Sequence, residues 1–379
     1  MVAVMMVLLL VVCIAAAALA INWAHLVTVF RHMQQSADTI SLAAAPQLLD
    51  EERLCHGLTG DPLNLDPLLD VKQVADAYRQ LVNASASSHL ELQEDDVRCT
   101  AGRIEDSRLR VDDFVFDTSP PYNALKIVTH RDGDGANPVA HLVSGFVGVD
   151  PADVTAVSYA LLDNQVVGFC PRTNVLAPVA PLAIDKTAFA NRFLDNDNDG
   201  ILEFELVLNS SDPAVTDDAT GALVDLGGIA LDLSRVQSQL AAGGVAAAEL
   251  PGGKLGPLGT GPVAMYPNNP GPLALPAEQE SPSETTVEAL VSRLQAIAAS
   301  SDPVRVFPVY SAFGAGEAQV VGFVAAQILS ASDEAEGGMT EYQRLKVTIE
   351  PCYLIHTTAW TDPEAAARNL FVYHLRLAR

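Results

Sequence analysis

The chain opens with a segment, Met1 to Phe30, that contains no Lys, Arg, Asp or Glu. Valine, leucine, isoleucine, methionine and alanine dominate its first two thirds. At about 1.5 Å per residue, a helix of this length is long enough to cross a hydrocarbon layer of about 30 Å. The following segment is amphipathic, and Pro46 is the first residue that the interior of such a helix would not tolerate. The sequence therefore predicts one long helix from Met1 to about Leu49, with its first half in lipid and its second half outside.

A narrow apolar face continues along the second half of this helix. Its residues alternate at spacings of four and three and are called the seam below: Leu26, Phe30, Met33, Ala37, Ile40 and Ala44. Such spacing places side chains on one side of a helix. We therefore predict that the seam packs against a helix of a partner protein.

Two other interpretations of the opening segment compete with a retained anchor. Ala18-Leu19-Ala20 has the small-x-small pattern of a signal-peptide cleavage site, although no basic residues precede the apolar run and the run is long for a signal peptide. A buried helix of a soluble protein is the second alternative, but so long an uncharged opening would be unusual there.

The residues of this helix resemble a known family. Segment 18–24 (ALAINWA), Arg31 and segment 33–45 (MQQSADTISLAAA) are similar to the N-terminus of TadE/TadG-like proteins, which belong to bacterial tight-adherence (Flp) pilus systems. The family pattern is an apolar span ending in A-x-D-x-(G/A), a basic residue, and then L-Q-x-A-A-D-A-A-A-L-A-A. This chain departs from it at Asn22, where Asp is usual, and at Ser36 and Thr39, where Ala is common. The family also has basic residues before the span, which places the expected true start upstream of Met1.

The resemblance implies a non-enzymatic, single-pass protein of the bacterial inner membrane, with its body in the periplasm or cell envelope. Its implied role is in pilus assembly or anchoring and in surface adhesion, with pilin or other pilus-assembly subunits as partners. Shorter similarities follow in the second half, at 181–185 (PLAID), 320–329 (VVGFVAAQIL) and 347–351 (VTIEP). The positive-inside rule alone would point the body inward, because Arg31 follows the span, but large domains are translocated largely regardless of charge.

Charge and cysteine content agree with an exported body. The chain has 22 Lys and Arg against 47 Asp and Glu, a formal net charge of −25 that would repel the phosphates of nucleic acid. Four cysteines follow the opening segment: Cys55, Cys99, Cys170 and Cys352. They permit two disulfides in any of three connectivities, or separate buried thiols, and none forms a C-x-x-C pair.

The rest of the chain predicts an α+β fold, a strand-rich mixed extracytoplasmic body behind the long N-terminal transmembrane and amphipathic helix. A helical face runs from Val71 to Val82, and short segments with a period of two begin near His89. Pro178 to Pro181 is interpreted as a linker. We therefore expect an anchor and stem at 1–49, a first α+β region at 50–177 and a strand-rich region at 178–379.

One constellation has the chemistry of a metal site. Asp195, Asp197 and Asp199 alternate in a D-x-D-x-D-G loop that resembles the first half of a calcium loop, and Glu205 is a candidate for completing the shell. Position twelve is Leu206 rather than Glu, so the EF-hand pattern is incomplete. An acidic hairpin turn is the alternative, because Asp, Asn and Gly favour turns. Calcium is therefore a candidate ligand, and no cofactor is required.

No catalytic motif appears. The chain lacks G-x-S-x-G and H-E-x-x-H, and Gly253-Lys254 is followed by Leu255 rather than the Ser or Thr of a phosphate-binding loop. We therefore expect no enzymatic activity. The alternatives are a secreted surface- or carbohydrate-binding module with a cleaved signal peptide, and an envelope hydrolase for which no residue suggests a nucleophile.

Overall fold

The computed structural model describes most of the chain. The described residues are 2–49, 54, 68–86, 91–104, 114–115, 122–133, 137–142, 150–191, 193–194, 202–209, 220–224, 226, 233–256, 273–274, 284–313, 317–335, 343–365 and 369–378. The chain divides into two compact units. Unit 1 comprises Met1–Asp50, Asn64–Leu162 and Arg376–Arg379, and unit 2 comprises Glu51–Leu63 and Asp163–Leu375.

Unit 1 is built on the predicted long helix. Helix α1 runs without interruption from Val2 to Ala44, and a 3₁₀ turn, Ala45–Leu48, follows it with Pro46 in its first positions. The predicted helix is therefore confirmed, and it ends where proline first removes a main-chain donor. The other elements of this unit are α2 (Leu68–Ser85), β1 (Val97–Gly102), β2 (Ala124–Arg131) and β3 (Val154–Asp163).

The strands of unit 1 pair in an antiparallel ladder. β1 pairs with β2, with Cys99 opposite Ile127, and β2 pairs with β3, with Ile127 opposite Ser158. Helix α1 packs against α2 and β2, and α2 packs against β1. Both helices therefore cover this sheet, and the resulting mixed α+β composition agrees with the predicted fold class.

Four of the six seam residues are buried, by other residues of the same unit. Met33, Ala37, Ile40 and Ala44 are almost completely inaccessible. Met33 packs in an apolar cluster with Val29 of α1, Leu92 before β1, Val139 between β2 and β3, and Val154 and Ala156 of β3. The prediction that the seam binds a partner helix is therefore wrong for these positions, because the chain's own strands and α2 cover them.

Phe30 was predicted to lie on the buried seam, but it is partly exposed. Its side chain is 46% exposed, whereas the neighbouring Val29 is 1% exposed. The buried positions Val29, Met33 and Ala37 are four residues apart, so the buried face of α1 passes through Val29 rather than through Phe30.

Unit 2 is strand-rich and contains a large sheet. Its strand order is β6-β7-β12-β11-β10-β5-β8, and β9 pairs with β11. The strands are β5 (Leu182–Asp185), β6 (Phe193–Leu194), β7 (Glu203–Asn209), β8 (Gly221–Leu223), β9 (Leu273–Ala274), β10 (Val304–Phe313), β11 (Glu317–Ala335) and β12 (Gln343–Pro351). Most pairs are antiparallel, and β10 with β5 is parallel.

Helices and short strands complete unit 2. The helices are α3 (Lys186–Asn191), α4 (Leu233–Ala242) and α5 (Glu284–Ala298), and α5 packs against β11, β12 and α4. The short strands β4 (Val166–Phe169) and β14 (Ala359–Thr361) pair with each other, and β13 (Leu354–Ile355) pairs with the start of β15 (Val372–Ala378). One apolar cluster joins these elements, and its largest fully buried side chains include Phe169, Phe204 and Phe307.

The expected linker at Pro178–Pro181 is part of this core. Val179 and Ala180 are buried, and Val179 forms a parallel bridge with Val306 of β10. The main-chain N–H of Ala180 donates to the Val306 carbonyl, and the N–H of Val306 donates to the Pro178 carbonyl. The prediction of a linker is therefore wrong, because the two non-proline residues extend the sheet and bury apolar side chains.

Candidate functional site

The first half of α1 is an exposed apolar surface. Its large side chains from Val4 to Val12 are all more than half exposed, and so are those of Leu19 and Trp23. The helix is long and apolar enough to cross a membrane, and a signal sequence would have the same properties. In the part of the chain that the structure describes, no other helix meets these criteria. Burial in lipid would remove this surface from water.

The second half of α1 is held to the sheet by polar contacts as well as apolar ones. The Gln34 amide donates from Nε2 to the Val157 carbonyl at 2.9 Å, and the Thr129 hydroxyl donates to the Met33 carbonyl at 3.3 Å. Ser41 and Ser158 also contact each other through their hydroxyls. Because small residues of the helix lie against the sheet, its backbone approaches closely enough for these bonds to form.

A cleft of about 770 Å³ lies between α2 and β1 in unit 1. This volume falls within the range of small-ligand sites, about 300–1,000 Å³. Its lining is mostly polar: Lys72, Ala75, Asp76, Arg79, Glu94, Asp95, Val97, Arg98, Cys99, Thr100 and His130. The cleft therefore combines charged groups of both signs with the edge of a strand.

Two of the charged side chains in the cleft, Arg79 and Asp76, form an ion pair with each other. The Arg79 guanidinium donates to Asp76 Oδ1 at 2.6 Å and to the Leu92 carbonyl at 2.9 Å, and its hydrogen bond lowers the pKa of Asp76. Among the described residues, no carboxylate forms an ion pair with Lys72 or Arg98. Those two cations are therefore available to a ligand, whereas Arg79 mainly fixes α2 to the segment before β1.

Two further side chains line the cleft, those of Cys99 and His130. Burial raises the pKa of the Cys99 thiol to about 11, although nearby Lys72 acts in the opposite direction. This thiol is therefore protonated near neutral pH and is a poor nucleophile. The His130 side chain is 8% exposed, and no described residue hydrogen-bonds its Nδ1 atom.

The structure describes only part of the predicted calcium loop. Asp195, Asp197 and Asp199 lie outside the described residues. Glu205 lies in β7, half-buried, and its Oε1 atom is 2.8 Å from the Lys346 ammonium of β12. Among the described residues, no group of three or more His, Cys, Asp or Glu side chains is arranged to hold a metal ion. Calcium binding at the loop stays a prediction.

The described cysteines are free thiols. Cys99, Cys170 and Cys352 form no disulfide, and Cys55 lies outside the described residues. Burial raises the pKa of Cys352 to about 12, and the neighbouring Glu350 carboxylate acts in the same direction. For these three cysteines the structure agrees with the alternative of separate thiols.

Sequence reasoning missed the cleft. The helical period of α2 was recognisable, and Val71 and Ala75 are buried as that period requires. Neither Lys72 nor Arg98 belongs to a motif, and they come together only because α2 packs across β1. Comparison with known proteins gives no independent assignment, because no protein-family model, curated protein or solved structure matches this chain.

Proposed function

We propose that this protein is a non-enzymatic, single-pass envelope protein that resembles TadG-like components and takes part in assembly or anchoring of a tight-adherence pilus and in surface adhesion. The observation that carries the proposal is the division of α1. Its first half is apolar and exposed, and its second half is part of the core of unit 1. A helix of this kind would tether a folded domain directly to a bilayer.

The positions that resemble the family have a physical role in this helix. Ala37 and Ala44, which match the family pattern, are buried, and so are Ser36 and Ser41, where the pattern has Ala; Ser41 is also hydrogen-bonded to β3. Small side chains at these points let the helix lie close to the sheet. The alanines that match TadE/TadG-like proteins therefore lie where the stem packs on its domain, which supports a shared architecture for this part of the chain.

The exposed side of the stem offers a different surface for a pilus partner. Phe30 is partly exposed in the structure, while Ile40 is committed to the core of unit 1. A partner helix would therefore contact the face that carries Phe30 rather than the remainder of the seam. Co-purification of pilus-assembly subunits should weaken in the variant Phe30→Glu, whereas Thr39→Glu, an exposed position on the same stem, is the matched control.

Cell fractionation with protease shaving tests the anchoring and its sidedness. The full-length protein should stay in the inner-membrane fraction, and added protease should digest the body only after the outer membrane is permeabilised. Recovery of the intact chain as a soluble cytosolic protein would contradict the proposal. Mass spectrometry of the mature N-terminus separates the secreted alternative, for which the chain would begin at Ile21 after cleavage behind Ala20.

A further inference from the structure

The edge of β1 that faces away from β2 provides main-chain groups for a ligand strand. β1 is the first strand in the order of its sheet and pairs with β2 on one side. At its C-terminal end, the Gly102 carbonyl accepts from Asn123 on the β2 side, whereas Arg103 exchanges two hydrogen bonds with Val115 on the other side. Hydrogen-bonding direction alternates along a strand, so the N–H and C=O of Cys99 point away from β2.

This edge forms one wall of the cleft. Val97, Cys99 and Thr100 line the cleft together with Lys72 and Ala75 of α2. The Val97 amide is already used, because it donates to the Glu94 carbonyl. Among the described residues, no strand pairs with β1 at Cys99 on the cleft side. An unpaired strand edge is a template for pairing with another extended chain.

The side chains around this edge define the chemistry of the ligand. Cys99 lies opposite Ile127, on the face of the sheet where Thr129 contacts α1, and near it Ala75 contributes a small apolar surface. Arg98 points to the opposite face and is exposed. Alternate side chains of a strand added here would therefore face the helices, where small apolar residues fit. The side chains between them would lie on the same face as Arg98.

Charge selects among such strands. Arg98 and Lys72 have no ion-pair partner among the described residues, so an acidic side chain opposite Arg98 would complement the edge. Glu94 and Asp95, which precede β1, also line the cleft and would repel an acidic residue placed beside them. We propose that the cleft binds an extended peptide of a partner protein by strand addition to β1, with alternating small apolar and acidic residues in register with Cys99 and Arg98.

Peptide binding to the full-length protein in detergent micelles tests this inference independently of any role in a pilus. The probe is a fluorescently labelled, capped octapeptide of alternating valine and glutamate. Its dissociation constant should rise about tenfold in Arg98→Glu, because an attractive cross-strand charge pair becomes repulsive. Arg172→Glu, an exposed charge reversal in unit 2, is the matched control and should leave binding unchanged.

Two additional measurements examine the main-chain contacts. The same peptide methylated at alternate backbone nitrogens should not bind, because it cannot pair with the edge. Amide hydrogen exchange at Cys99 should slow on binding, while the amide of Thr100, which faces β2, serves as an internal reference.

Several results would overturn the inference. They are equal binding by a valine–lysine octapeptide, binding that survives backbone methylation, absence of binding at millimolar peptide, or a Cys99 amide already as protected as that of Thr100 in the free protein. The last result would mean that another segment of this chain occupies the edge.

Discussion

The hydroxyl oxygens of Ser41 and Ser158 lie 2.9 Å apart in the interior of unit 1 and join α1 to β3. Ser41 also lies 3.0 Å from the Asp38 carbonyl, to which it donates its proton. Since a hydroxyl has one proton, Ser158 must then be the donor to Ser41. The helix that emerges from the exposed apolar segment is thus bonded through a side chain to the middle of β3.

Removal of one hydroxyl should destabilise unit 1. In Ser41→Ala the buried Ser158 hydroxyl loses its acceptor, and we expect a loss of about 1–3 kcal/mol in the free energy of unfolding. The double variant with Ser158→Ala should cost less than the sum of the two single changes, as urea denaturation can measure. Thr39→Ala, on the exposed side of α1, should change stability little, and strictly additive losses would contradict the coupling.

Ile40 is buried and Phe30 is partly exposed, so substitutions at these two positions of α1 can be compared. Ile40→Ala creates a cavity in a fully buried site and should lower the free energy of unfolding by about 2–5 kcal/mol. Phe30→Ala removes a partly exposed ring and should cost less than about 1 kcal/mol. Denaturation of the two variants in the same detergent checks the order, and a larger loss for Phe30→Ala would show that the ring packs inside the unit.

Charges introduced into the first half of α1 test its insertion in lipid. An arginine at the centre of a span costs about 2.5–3.5 kcal/mol, so the double variant Leu9→Arg, Val12→Arg should move the protein out of the carbonate-resistant membrane fraction. Leu69→Arg places a charge on an exposed leucine of α2 and should leave the protein in that fraction. Equal membrane retention of both variants would refute the anchor.

Alkaline pH should destabilise unit 2 through Cys352. Its pKa is raised from 9.0 to about 12 by burial, so the folded state disfavours the thiolate. The stabilising contribution is complete below pH 9 and decreases as the pH rises from there toward about 12, because only the unfolded chain then releases the proton readily. Cys352→Ala should therefore show a smaller fall in melting temperature over this interval than the parent protein.

Alkylation provides a second measurement of the same group. Below pH 9 the protonated thiol should react slowly with iodoacetamide in the native protein and rapidly after unfolding. Rapid native-state labelling of Cys352 at neutral pH would contradict the raised pKa.

The predicted calcium site can be tested by ligand removal. If Asp195, Asp197 and Asp199 bind calcium, a free calcium concentration of about a hundred times the dissociation constant would stabilise the protein by about 2.7 kcal/mol. The melting temperature should then fall on addition of chelator, and it should fall much less in Asp197→Asn. Identical melting curves in calcium and in chelator would contradict calcium binding at this loop.

The sequence predicted features that depend on local spacing. Continuity of α1 and its end near Pro46 followed from the absence of glycine and proline, and both are observed. The helical face of α2 was also recognisable, since Val71 and Ala75 are buried. These features depend on residues close together in the chain, whose effect on a helix is largely independent of the rest of the fold.

Features that depend on distant segments could not be predicted in the same way. The seam has the spacing that packs against a helix, but spacing does not identify the partner, which is formed by α2 and the strands of the same unit. Pro178 to Pro181 has the composition of a linker, yet Val179 pairs with Val306, more than a hundred residues later in the chain. The cleft likewise requires two remote elements to meet.

The uninterrupted hydrogen bonding of α1 has a mechanical consequence. Because there is no glycine or proline between Val2 and Ala44, α1 contains no residue of the kinds that usually kink a helix. Met33, Gln34 and Ser41 bond its C-terminal half to the strands of unit 1. A torque applied to the apolar end would therefore turn the sheet with it rather than being absorbed in a joint.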